Sequence, residues 1–135
     1  MKKSLIILLF LFTFIFASEP YTPKRGTAER AAIMDALRIE VKKYHNIDVL
    51  FVVRTLKLKD GWAWAITAPM SKDGANHYED IVALLHKENN TWSVAELVCM
   101  EVETPGCIDD PNFLNGLQER FLDVPKEIVS FGGKQ

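Results

Sequence analysis

The sequence predicts an α+β domain, and three observations carry that prediction. Apolar residues recur at spacings of three and four from Ile33 to Tyr44. Two β-rich runs, residues 49–59 and 62–70, flank Asp60-Gly61. Two more, residues 80–88 and 91–100, flank Asn89-Asn90. A long helix, two hairpins and a short closing helix make one helix packed on a four-stranded antiparallel sheet.

The first residues form an address. Lys2 and Lys3 precede an apolar run from Leu5 to Ala17, and the polar Ser18-Glu19-Pro20 follows it. A basic start, about 13 apolar residues and a small residue before a polar stretch make a secretory signal peptide. A spanning helix needs roughly 20 apolar residues, so no permanent membrane span is expected. Residues 1–17 are therefore set apart as the signal. Residues 18–26 are expected as a flexible lead-in and residues 27–135 as one domain. Without Lys2 and Lys3, 14 basic residues face 18 acidic ones. A mildly acidic domain lacks the clustered basic face that nucleic acid requires.

Thr27 can cap the first helix, with Glu29 in its first turn at the positive end of the dipole. Ile33, Leu37, Val41 and Tyr44 form the apolar stripe, Met34 and Ala36 widen it, and the helix ends near His45-Asn46. Asp-Gly between two β-rich runs is a strong hairpin signal, because both turn residues must accept positive φ. Residues 71–79 form a polar loop between the hairpins. Asp110-Pro111 opens the short helix, as cap and first helical residue. Phe113, Leu114, Leu117 and Phe121 give it an apolar face and Val124-Pro125 stops it. Ile128, Val129 and Phe131 form a tail expected to dock back onto the domain.

Cys99 and Cys107 both lie in the exported part, and Pro105-Gly106 lets the chain reverse between them. An even count in an oxidising compartment predicts a disulfide. Closing a loop of about 9 residues contributes roughly 2.5 kcal/mol in the chain-entropy model. No Cys-x-x-Cys spacing or neighbouring histidine supports a thiolate nucleophile or a metal pair.

The element order resembles the cystatin type, and also the cone-shaped fold of nuclear transport factor and ketosteroid isomerase. The stretches ERAAIMDALR and FVVRTLKLKDGWAW, within Glu29 to Trp64, are similar to small exported bacterial proteins of unknown function. That resemblance covers about a third of the mature chain and implies no activity.

The hairpin geometry sorts the side chains. With Asp60 and Gly61 as the turn, Lys59 faces Trp62, Lys57 faces Trp64, Thr55 faces Ile66 and Val53 faces Ala68. Opposed residues share a face. One face then carries Leu56, Leu58, Ala63 and Ala65, short enough for the first helix to approach. The other carries Lys57, Lys59, Trp62 and Trp64. Left open, those four would be an aromatic-cationic platform for sugar rings, aromatic groups or anionic chains. Covered by Phe113, Leu117 and Phe121, they would be core. Each buried tryptophan removes some 150–250 Å² from water, which favours the cover.

Chemistry is thinly represented. Asp80 and His86 share a strand parity, but six residues of strand span roughly 20 Å, too far to share a proton. Ser93 falls opposite His86 without an orienting carboxylate in that reading. Asp73, His77, Glu79 and Asp80 match no metal-ligand spacing. Gly-rich phosphate loops and Gly-x-Ser-x-Gly are absent, and Asn89-Asn90-Thr91 is explained by the turn. No catalytic residue, metal or cofactor is expected. The sequence therefore predicts a periplasmic or secreted binding module acting on an envelope protein or a small ligand. A small cone-fold enzyme with a pocket between helix and sheet, or an inhibitor or immunity-type protein, is the alternative.

Overall fold

The computed structural model describes residues 18–98 and 110–130. Residues 1–17, expected as a signal, the Cys99/Cys107 pair, expected as a disulfide, and Phe131 lie outside the described residues. The elements are α1 (Ala28–His45), β1 (Val49–Lys59), β2 (Trp62–Ser71), β3 (Ile81–Glu88), β4 (Thr91–Val98) and α2 (Pro111–Arg120), then a single 3-10 turn at Lys126–Ile128. The fold is α+β: the four strands form one antiparallel sheet in the order β1-β2-β3-β4.

Turn chemistry sets this meander. Asp60 and Gly61 have φ of 51° and 78°, and Asn89 and Asn90 have 49° and 63°. Two successive left-handed residues give the turn whose twist matches the flanking strands, and Asp, Asn and Gly are the residues that tolerate it.

The first hairpin has the expected pairs from Lys59–Trp62 to Thr55–Ile66. Beyond them Val53 pairs with Thr67, and Ala68 pairs with Val52. The expected Val53–Ala68 pair is corrected by a β-bulge at Arg54. One extra residue reverses the parity of everything before it. As a result Phe51 and Val53 share a face with Leu56 and Leu58. A second bulge, at Ala95, lies in β4 between the Leu84–Glu96 and Leu85–Val94 pairs.

Each sheet face has its own apolar cluster. Ile33, Met34, Ala36 and Leu37 of α1 are buried together with Leu56, Leu58, Ala63, Ala65, Ala83, Leu85 and Trp92. The alanines leave the space that Ile33 and Leu37, both fully buried, occupy. Val41 joins Val49 and Ile81 at the far end. Tyr44, expected in the stripe, is 62% exposed. Its ring lies under the Lys43 ammonium at 5.0 Å, in the last turn of α1. Thr27 accepts from Arg30 N at 3.4 Å, and Asn46 closes the helix in the left-handed region.

The opposite face carries Trp62, Trp64, Ile66, Val82, Leu84 and Val98, with Leu117, Val124, Ile128 and Val129 packed over them. Asp110 caps α2 by accepting from Asn112 N at 2.8 Å, with Pro111 at the first helical position. The lead-in, expected to be flexible, is tied to the sheet. Tyr21 and Leu58 exchange two backbone hydrogen bonds of 2.9 and 2.8 Å, and the Thr22 hydroxyl donates to Leu56 O.

Candidate functional site

The meander lines up one residue from each strand beside the two turns. Lys59 pairs with Trp62, Trp62 with His86, and His86 with Ser93. The next row is Lys57, Trp64, Leu84 and Glu96. These rows hold all four residues of the aromatic-cationic set, and the structure divides them.

Trp64 is fully buried, and its Nε1 donates to the Ser130 carbonyl at 2.8 Å. Lys57 Nζ reaches the Ser130 hydroxyl at 3.4 Å. Lys59 forms a 2.9 Å ion pair with Glu127. That hydrogen-bonded pairing raises the Lys59 ammonium above its ordinary range and lowers the Glu127 carboxyl below its own. Lys57, Lys59 and Trp64 thus anchor the C-terminal segment to β1 and β2. Leu117, with Phe113 and Phe121 partly buried beside it, contributes to the cover as expected, and the tail that follows α2 adds the Ser130 carbonyl that holds Trp64.

Trp62 is different. Its ring is 7% exposed and stacks on His86 at 4.0 Å, with planes 20° apart. Phe121 meets it edge-on at 5.9 Å. Trp62, His86, Ser93 and Ala95 form the floor of an open cleft of about 530 Å³ between the sheet and the end of α2. Arg120, Phe121, Leu122 and Asp123 form its wall, and Glu88 stands at the rim. Arg120 is held by Glu96 at 2.8 Å, which fixes the guanidinium beside the sheet. Leu122 is 85% exposed.

His86 has the carboxylate that sequence reasoning did not give it. Glu88 Oε1 is 3.2 Å from His86 Nδ1. Residues i and i+2 of a strand share a face, so the pair was available from parity alone. In the neutral ring, an Nδ1 proton donated to Glu88 leaves the other nitrogen as an acceptor. Among the described residues no hydrogen bond joins Ser93 to His86. Asp80 precedes the opposite end of β3 and pairs with Arg54 at 2.9 Å.

The Asp73 carboxylate of the loop is engaged locally. Asp73 accepts from the Ser71 hydroxyl at 2.6 Å and from Ala75 N at 3.0 Å, bonds that lower its carboxyl below the usual range. Among the described residues no three His, Cys, Asp or Glu side chains gather as a metal site. No helix of the described residues is long and apolar enough to cross a membrane.

Compared with protein-family models, curated proteins and solved structures, the chain matches none. The geometry alone carries the functional reading. Arg120, Leu122 and Asp123 had no signal in the sequence, because a short helix does not announce which end of a sheet it meets.

Proposed function

We propose that the protein is an exported binding or interaction module of the cell envelope, cystatin-like in architecture and without catalytic chemistry of its own. Its contact surface is the cleft between the Trp62–His86 stack and the end of α2. The single observation behind this reading is the Trp62–His86 stack, with Trp62 itself buried, beside a nearly bare Leu122 and an Arg120 paired with Glu96. Aromatic and arginine anchors beside an exposed apolar residue are what recognition surfaces use. Residence in the envelope is inferred from the leader.

Two features support the absence of chemistry. The contact between α1 and the sheet is filled with apolar side chains, where a cone-fold enzyme would need a pocket. Among the described residues, Thr67 is the only polar side chain in the buried class.

The test is capture from envelope extract by the intact protein, alongside titration with small sugars and aromatic acids followed at the Trp62 indole N–H. Binding that is lost in Leu122→Asp and Arg120→Glu but kept in Tyr44→Ala supports the cleft. Binding that ignores both cleft variants removes it.

The His86–Glu88 pair opposite Ser93 favours a second reading, a small hydrolase. The discriminating probe is a fluorophosphonate: labelling of Ser93 that requires His86 would establish the enzyme and remove the binding-module reading.

A further inference from the structure

We propose that the outer edge of β1 pairs two copies of this chain, through residues 48–54, into one continuous sheet. β1 is an edge strand, bonded to β2 on one side only. Its Leu56–Leu58 half is covered by Tyr21 and Thr22. Among the described residues no backbone hydrogen bond reaches the outer side of residues 49–54. An uncovered edge displays a row of unpaired donors and acceptors that templates another strand. Proteins usually protect such an edge with lysine, proline or a covering segment. The run Val49-Leu50-Phe51-Val52-Val53 has no lysine and no proline. Leu50 and Val52 are 38% and 48% exposed, on the face that carries Trp62 and Trp64.

The choice of a second copy follows from charge. An antiparallel pairing about a two-fold axis at Phe51 sets Leu50 against Val52 of the second copy and Val49 against Val53. The next position outward sets Asp48 against Arg54 of the second copy, twice over. A two-fold contact requires a self-complementary patch, and this heptad is one: apolar in the middle, acidic at one end and basic at the other. The Arg54 bulge ends the run where the Tyr21 cover begins. In the single chain both charges are paired at the surface, Asp48 with Lys42 at 3.3 Å and Arg54 with Asp80 at 2.9 Å. Exposed pairs of this kind are weak and can share a further partner.

The experiment uses the full chain as the cell processes it, with mass followed by sedimentation from micromolar to about 1 mM, the concentration range of weak association. A dimer is expected. Asp48→Arg alone sets arginine against Arg54 at both contacts, and Arg54→Asp alone sets aspartate against Asp48. Directly opposed like charges destabilise strand pairs, so each variant should dimerise at least about tenfold more weakly. Mixing the two variants makes both contacts opposite in sign again, and a heterodimer should form. Should either charge variant fail to fold, Val52→Lys places a lysine beside Leu50 of the second copy and should likewise give a monomer. A monomer at every concentration overturns the proposal and leaves the edge for a strand of another protein. Single variants that dimerise like the parent, or a mixture no better than its parts, overturn it as well.

Discussion

The indole nitrogen of Trp64 donates a 2.8 Å hydrogen bond to the carbonyl of Ser130, a residue 66 positions further along the chain. The bond joins the middle of the first hairpin to the C-terminal tail. Leu117, Val124, Ile128 and Val129 lie in the same buried cluster. The tail is therefore part of the core of one sheet face.

Truncation after Asp109 should unmask both Trp62 and Trp64. Leu117 and Ile128 are fully buried and Val124 nearly so. Full burial of such a side chain contributes roughly 1.5–3 kcal/mol, so the loss should reach several kcal/mol. In a Trp92→Phe background the intact protein should show blue emission poorly quenched by acrylamide. The truncated protein should show red, quenchable emission and an earlier denaturation midpoint. Equal quenching before and after truncation would mean that the tail does not cover the rings.

The Lys59–Glu127 pair makes the tail's attachment depend on pH at two ends. Glu127 is lowered in the folded state, so its contribution is present above its unfolded pKa of about 4.3 and is lost as pH falls through the lower folded value. Lys59 is raised, so its contribution is complete below its unfolded pKa of about 10.4 and is lost as pH rises through the higher folded value. The pair therefore acts across the whole interval between those limits. Glu127→Gln should flatten the stability difference at both ends while changing little else. A parent and variant with parallel stability curves from acid to alkaline pH would show that the ion pair contributes nothing.

Leu122→Asp separates binding from folding. Leu122 is 85% exposed, so the substitution should change stability by no more than about 0.5 kcal/mol. The same change puts a carboxylate beside Asp123 at the wall of the cleft and should abolish capture of the cleft's ligand. Loss of thermal stability together with binding would mean that Leu122 supports the end of α2 and that the binding loss is indirect.

The parts of this molecule that were legible in the sequence are those governed by local chemistry. Asp60-Gly61 and Asn89-Asn90 could be assigned to tight turns because few residues accept two successive positive φ values. From such a turn the pairing follows by counting, which is how Lys57 and Lys59 came to face the tryptophans. The counting fails at Arg54 because nothing in the residue type marks a bulge. The cleft was illegible for a related reason. Its floor belongs to the hairpins and its wall to α2, and no local signal brings Arg120 to Glu96 or Phe121 to Trp62. The His86–Glu88 contact is within reach of strand parity, since i and i+2 share a face, whereas Asp80 is taken up by Arg54.

Trp92 provides a counterpart to Trp64 on the other face of the sheet. Both rings are buried, but among the described residues the Trp92 Nε1 has no hydrogen-bond partner, whereas that of Trp64 is bonded to Ser130. Tryptophan to phenylalanine removes a similar apolar volume at both sites, so the comparison isolates the N–H. At Trp64 the change deletes a made bond and leaves the Ser130 carbonyl to find another donor. At Trp92 it deletes an unpaired group whose burial opposes folding by roughly 1–3 kcal/mol, offsetting part of the lost packing. Trp64→Phe should therefore destabilise the protein more than Trp92→Phe, by about 1 kcal/mol or more in chemical denaturation. Equal losses would show that the Trp92 N–H has a partner of its own, a buried water being the simplest. A larger loss at Trp92 would show that packing under α1, including the Lys87 ammonium 5.9 Å above the ring, outweighs the orphaned donor.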